Sequence, residues 1–214
     1  MIKYIAVVSY IVLIFGVSST SKKYNPQNKE LLRKIIHIGI GPLIPIAIYL
    51  NFYQLEALAF TGLITLLIGL NYLFKIFPNI EDVNRKSYGT LFYCISLFLL
   101  IYIFWNRDPV TLIVGCFIMT FGDGLAGLIG KNISSNSWTV FNQKKSILGT
   151  FIMFITSFLI LLFLGFGEGY GLNIHYLTIS ILVTILEQFS FVGIDNLSVP
   201  LIASFSFNCL VTKL

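Results

Sequence analysis

Eight apolar stretches follow one another through the chain, at roughly residues 4–19, 35–50, 55–74, 90–106, 109–130, 147–167, 174–190 and 197–211. Each is close to the ~20 residues that a helix needs to cross the hydrocarbon core of a bilayer. Backbone placed in lipid must satisfy its own polar groups, and stretches of this length do so as helices. The sequence therefore predicts an all-α, polytopic integral membrane protein with seven or eight transmembrane helices. Only "FVGIDNL" separates the last two stretches, and the count is seven if they form one broken hairpin. Composition agrees, since 11% of the 214 residues are charged against about 25% in a soluble domain. That is too few to coat a water-facing surface, and one membrane domain is expected over residues 1–214.

In such a chain the net charge of +5 reports topology and does not point to nucleic acid. Basic residues fill alternate loops: Lys22, Lys23, Lys29, Arg33 and Lys34 in 20–34, Lys75, Arg85 and Lys86 in 75–89, Lys131, Lys144 and Lys145 in 131–146. Loops 51–54 and 168–173 carry none, and the 107–108 turn has only Arg107. The positive-inside bias puts the three basic loops in the cytoplasm and the N-terminus outside. Segment 4–17 followed by "SST" has the look of a signal peptide, but cleavage there would export the most basic loop, so it is read as a retained span. Cys94, Cys116 and Cys209 lie within apolar stretches without a CxxC pair. They are expected to be small buried hydrophobes, with no disulfide framework or zinc site.

This orientation gathers the polar residues of different spans on the cytoplasmic side. Arg33 and His37, four apart, share a face of the second span. "RKSYGT" opens the fourth, "GDGLAGLIGK" closes the fifth, "KKSILGT" opens the sixth, Glu187 stands near the inner end of the seventh, and Asp195 and Asn196 follow. On the outer side Asn51, Glu56, Arg107, Asp108, Glu168 and His175 read as ordinary loop and helix-end residues. Asp123 lies eight residues before Lys131, about 12 Å into the membrane at 1.5 Å per residue. A carboxylate there must be paired, solvated or bound to a cation. Gly115, Gly122 and Ala126 run along one side of the same helix, where small residues permit close approach by a neighbour. A packing face with a hydrogen-bonded aspartate is the plainer reading of the same pattern.

Gly122 to Gly127 formally match GxGxxG. A dinucleotide site also needs a βαβ unit and an acidic residue about 20 positions on, where this chain has "NQKKS". A Walker loop fails too, because its first glycine would fall at Leu125 and Lys131 is followed by Asn132. What remains is a phosphate site of a membrane kind. Backbone N–H groups at a helix start favour phosphate, and Lys144, Lys145, Ser146 and Gly149 stand at the expected start of the sixth span. The competing readings are topogenic charge for Lys144 and Lys145, packing for His37, and structural roles for Glu187 and Asp195 in place of cation ligation.

"RKIIHI" (33–38), "SYGT" (87–90), "GDGLAGLIGK" (122–131), "KKSILGT" (144–150) and "IDNLSVPL" (194–201) together resemble the CTP-dependent polyprenol kinase family. That family takes in dolichol, phytol and CTP-dependent diacylglycerol kinases and is related to phosphatidate cytidylyltransferase. The resemblance covers about residues 30–205, and motif order and spacing look most like its phytol kinase branch. It implies transfer of the γ-phosphate of CTP to a membrane isoprenoid alcohol such as phytol, with Mg²⁺ or another divalent cation and with CTP, the alcohol and the bilayer as partners. No protein partner follows from it. Carried over by position, Asp123 would hold the cation, with Asp195 and Asn196 completing the nucleotide or metal site. Gly122, Gly124, Gly127, Gly130 and Lys131 would shape the nucleotide loop. Lys144, Lys145, Ser146 and Gly149 would meet phosphate, and Arg33 would assist. The "KNISSN" segment at 131–136 departs from relatives that carry a further glycine.

The base for the acceptor hydroxyl is left open among Asp123, Asp195, Glu187 and His37. The loop charges put the site of this multi-pass protein on the cytoplasmic face, and the resemblance to phytol kinases implies a plasma or thylakoid-type membrane of a phototroph. The alternatives are a cytidylyltransferase making a CDP-lipid, and a transporter. A transporter is disfavoured by the lack of a visible internal repeat and by the one-sided charges.

Overall fold

The computed structural model describes residues 1–24, 29–74, 88–141 and 143–211. Ten α-helices in these residues build eight rods, one for each apolar stretch. They are α1 (Ile2–Tyr24), α2 (Lys29–Ile40) continued by α3 (Leu43–Tyr49), α4 (Gln54–Phe74), α5 (Gly89–Phe104), α6 (Pro109–Phe117) continued through a π turn (Ile118–Asp123) into α7 (Gly124–Asn132), α8 (Ile147–Gly167), α9 (His175–Gln188) and α10 (Asp195–Val211). Among the described residues five stretches are long and apolar enough to cross a membrane: Ile2–Ser21, Leu31–Tyr49, Gln54–Phe74, Pro109–Asn132 and Ile147–Gly167; α5 is a shorter apolar helix. The last two apolar stretches are separate helices, with a 3₁₀ turn (Phe191–Gly193) between them.

The α6–α7 rod is the axis of the bundle. Leu112, Val114, Cys116, Ile118 and Met119 on it are fully buried, and its small residues explain why neighbours come so close. A side chain at Gly115 would collide with Ser204 and with the Pro200 carbonyl of α10. At Gly122 a Cβ would fall 2.7 Å from Met153 Sδ of α8. A π turn inserts one residue into the helical register, so the faces of α6 and α7 are rotated relative to each other. The α2–α3 rod breaks at Gly41–Pro42, and Gly41 lies against Thr120 of the π turn, where a Cβ would be 2.5 Å from Thr120 Cγ2. None of the three cysteines forms a disulfide; Cys116 is buried, while Cys209 is exposed, against the expectation of burial.

One element departs from the helical expectation. Residues 131–146 are not only a loop: β1 (Ser137–Val140) and β2 (Gln143–Ser146) form an antiparallel hairpin with Trp138 opposite Lys145 and Thr139 opposite Lys144. Aromatic and β-branched residues at 138–140 favour the pleated backbone. Lys144 and Lys145 therefore sit on a strand, and α8 begins only at Ile147, with Ser146 as its N-cap.

The end of the bundle away from the hairpin is closed by local polar contacts. Lys3 Nζ lies 2.6 Å from Glu56 Oε2, Tyr4 Oη donates to Glu56 Oε1 at 2.5 Å, and Gln54 Nε2 donates to the carbonyls of Ile101 and Tyr102. Asp108 caps α6 by accepting from the Thr111 N–H. Lys75, Arg85, Lys86 and Ser87, predicted to flank the fourth span, lie outside the described residues, as do the side chains of Lys22 and Lys29.

Candidate functional site

At the hairpin end, α2, α7, α8, α9, α10 and the hairpin enclose a cavity of about 530 Å³. Each contributes where its apolar face ends. Arg33 and Lys34 come from α2, Asp123, Gly127, Gly130 and Lys131 from the π turn and α7, and Lys144 and Lys145 from β2. Ser146, Gly149 and Thr150 come from the start of α8, Glu187 and Gln188 from the end of α9, and Asp195 and Asn196 from the start of α10. The structure thus brings together twelve of the fifteen residues singled out in the sequence. The other three, His37, Gly122 and Gly124, do not line the cavity.

Two of the three carboxylates are engaged with lysines. Lys34 Nζ lies 2.5 Å from Asp123 Oδ2 and also donates to the Asp123 carbonyl at 3.0 Å. His37 Nε2 stands behind this pair, 3.6 Å from Asp123 Oδ2 and 3.3 Å from the Met119 carbonyl. Lys145 forms an ion pair with Glu187 Oε1 and donates to the Glu187 carbonyl at 2.7 Å. Glu187 Oε2 accepts from Gln188 Nε2 at 2.8 Å. Asp195 differs. It is 7% exposed, and its Oδ1 is buried without a hydrogen-bond partner among the described residues. A buried carboxylate oxygen in that state is costly unless something binds it, and the cavity is where a ligand would come from.

Five cationic side chains (Arg33, Lys34, Lys131, Lys144, Lys145) face three carboxylates across this space. The surplus of positive charge suits a polyanion. The carboxylates suit a hard cation, since Mg²⁺ is held by one or two of them together with substrate phosphates. Among the described residues no group of three or more His, Cys, Asp or Glu forms an all-protein metal site. The donor set therefore fits a cation that arrives with its own phosphate ligands.

The glycines stand on a helix and not in a loop, because residues 122–131 are helical throughout. Gly124 faces Ile38, and Gly127 faces the stem of Lys34 with a Cβ-to-Cε distance of 2.6 Å. Gly130 meets Gly149, where a Cβ would lie 3.0 Å from the partner Cα. Their missing side chains permit close helix approach, and Gly127 and Gly130 also line the cavity. Ser146 is also committed: its Oγ accepts from the Gly149 N–H at 3.1 Å and donates to the Gly130 carbonyl at 3.2 Å, tying the end of α7 to the start of α8.

Three contributors were not singled out in the sequence. Lys34 is one, although it shares a face with His37 three residues on; pairing His37 with Arg33 alone overlooked it. Gln188 is the second, an amide at a helix end with no distinguishing pattern. The third is the bidentate link between Gln143 and Ser190, in which Gln143 donates to the Ser190 carbonyl and Ser190 Oγ donates to Gln143 Oε1 at 2.7 Å. It fastens the hairpin to the α9–α10 turn, a long-range contact with no local signal.

The chain is 39% identical over 177 residues to a phytol kinase of Synechocystis sp., covering 80% of this chain and 76% of that protein. It is 30% identical over 213 residues to phytol kinase 1, chloroplastic, of Arabidopsis thaliana, covering 88% of this chain and 69% of the relative. To the chloroplastic farnesol kinase of Arabidopsis thaliana it is 25% identical over 181 residues, 75% of this chain and 58% of the relative. No protein-family model matches the chain, and no solved structure matches it.

Proposed function

The chain belongs to the phytol kinase family and is a membrane kinase of an isoprenoid alcohol, and from that premise we propose that it transfers the γ-phosphate of CTP to phytol in the cavity beneath the hairpin. The observation that carries the placement is the unpartnered carboxylate oxygen of Asp195 in a cavity with surplus positive charge. Lys131, Lys144 and Arg33 are the cations for the phosphate chain. Asp123 and Asp195 are the cation ligands, and a divalent ion bound there would neutralise charge on the transferring phosphoryl group. Phosphoryl transfer needs little covalent help from the protein, so positioning and charge carry the catalysis.

In the reaction the alcohol oxygen forms a bond to the γ-phosphorus while the bridging bond to the β-phosphate breaks. The bonding pair leaves with CDP, and the alcohol proton passes to a cavity carboxylate. Lys145 and Gln188 hold Glu187 in place for that role. The prevalence of basic residues at this end supports a cytoplasmic orientation for the site, where CTP is available.

The test is incubation of membranes carrying the protein with phytol, Mg²⁺ and γ-labelled CTP or ATP. Label moving from CTP into phytyl phosphate is the expected result. Label moving only from ATP overturns the donor, and pyrophosphate released with a CDP-lipid would make the reaction a cytidylyl transfer.

A further inference from the structure

A second cavity of about 400 Å³ adjoins the first between α8 and α9. On α8, Ile147, Phe151 and Phe154 form a stripe at helical spacing, and on α9 Ile181 and Ile185 face them four residues apart. The stripe covers about two helical turns. Of the polar residues on the groove, Thr184 already donates to the Ser180 carbonyl at 2.7 Å. Thr150 is the residue that lines both cavities.

We propose that this groove holds the isoprenoid tail of the acceptor and that Gln188, at its inner end, accepts a hydrogen bond from the alcohol's hydroxyl in the ground-state complex, a bond the proton leaves for Glu187 as the phosphoryl group transfers. The proposal rests on the kinase reading above and assigns the alcohol its binding subsite. Apolar side chains on a membrane helix normally face lipid, and Phe151, Ile181 and Ile185 are about half exposed. Two observations separate this groove from ordinary lipid-facing surface.

The first is what stands at its inner end. Thr150 Oγ1 donates to the Ser146 carbonyl at 3.0 Å and accepts from Gln188 Nε2 at 3.1 Å. Gln188 Nε2 also donates to Glu187, which fixes the amide with its oxygen as the remaining acceptor. That oxygen, Gln188 Oε1, is buried with no partner among the described residues. An unmet acceptor at this depth is stabilised by a donor, and a primary alcohol at the head of an apolar chain supplies one. A hydroxyl placed there has its tail along α8 and α9 and its oxygen beside the cations of the polar cavity.

The second is the hairpin. Trp138 lines the groove, while Lys145, paired with it across the strands, lines the polar cavity. One two-stranded element therefore borders both spaces. Indole rings prefer the level where an apolar body meets a polar headgroup, which is the level at which a prenyl alcohol exposes its hydroxyl.

Three variants and one probe test this. Ile185→Trp fills the groove from α9, Leu182→Trp puts the same ring on α9 outside it, and Gln188→Leu removes the acceptor. In purified protein, Ile185→Trp is expected to raise KM for phytol at least tenfold with KM for CTP unchanged, and Leu182→Trp to behave as the parent. Gln188→Leu should also raise KM for phytol more than KM for CTP. A phytol KM unaltered by Ile185→Trp would return the groove to ordinary lipid-facing surface.

Independently of turnover, a diazirine-bearing isoprenoid alcohol should crosslink to 147–154 and 181–185, and excess phytol should compete it away. Crosslinks confined to other helices would overturn the assignment. If the parent transfers no phosphate to any isoprenoid alcohol, the kinase reading falls, and crosslinking still decides whether the groove takes such a chain.

Discussion

Lys34 reaches Asp123 by passing over Gly127. Its Nζ lies 2.5 Å from Asp123 Oδ2, and a Cβ on Gly127 would sit 2.6 Å from Lys34 Cε. The glycine four residues after the aspartate is one turn along α7, so its bare backbone leaves the channel through which the lysine stem runs. Both charged ends are largely shielded, with side chains 5% and 15% exposed. Geometry and charge are therefore interlocked at this point.

Gly127→Ala is expected to displace the lysine stem and destabilise the protein by roughly 1–3 kcal/mol, the usual range for overpacking. Thermal unfolding of the detergent-solubilised protein measures it. An unchanged unfolding temperature would mean that Lys34 has another route.

Lys34→Met strands a buried carboxylate and should cost about 3–5 kcal/mol. Adding Asp123→Asn removes the stranded charge, so the double variant should regain most of that stability while remaining inactive. Recovery of activity along with stability would confine Asp123 to a structural role.

Asp195→Asn tests the unpartnered oxygen. The replacement is nearly isosteric and Oδ1 has no partner among the described residues, so stability should be unchanged. Turnover should drop by about 10²-fold or more, as for other losses of a charge-stabilising group, and half-maximal activity should need more Mg²⁺. A Mg²⁺ titration coinciding with that of the parent would remove Asp195 from cation binding, and chelation of divalent ions should silence both proteins.

Lys144 and Lys145 should separate. Lys144 is exposed on the strand, so Lys144→Met should raise KM for CTP about tenfold, equivalent to ~1.4 kcal/mol, with the fold intact. Lys145→Met also strands Glu187 and should lower the unfolding temperature. Identical behaviour of the two variants would contradict the pairing of Lys145 with Glu187.

A topology reporter placed at Gly169 should read as outside and one in the 131–136 segment as cytoplasmic. The opposite pattern would turn the cavity away from cytosolic CTP.

Segment lengths and loop charges alone determined the eight helical rods, the end at which the basic residues collect, and most of the side chains that meet there. Each of those follows from composition along the chain: an apolar stretch in lipid must be helical, Lys145 and Asp195 stand where such a stretch gives way to polar residues, and Asp123 is a lone carboxylate inside one. The tertiary structure decided the pairings. Lys34, not Arg33, meets Asp123 because helix rotation and crossing distance select the partner, and periodicity along one helix does not encode them. The same reason explains why the glycines of "GDGLAGLIGK" admit Ile38, Lys34 and α8 where a phosphate loop was expected. Gln188 joins the groove to the cavity through contacts 38 residues apart in sequence, and only packing could place it there.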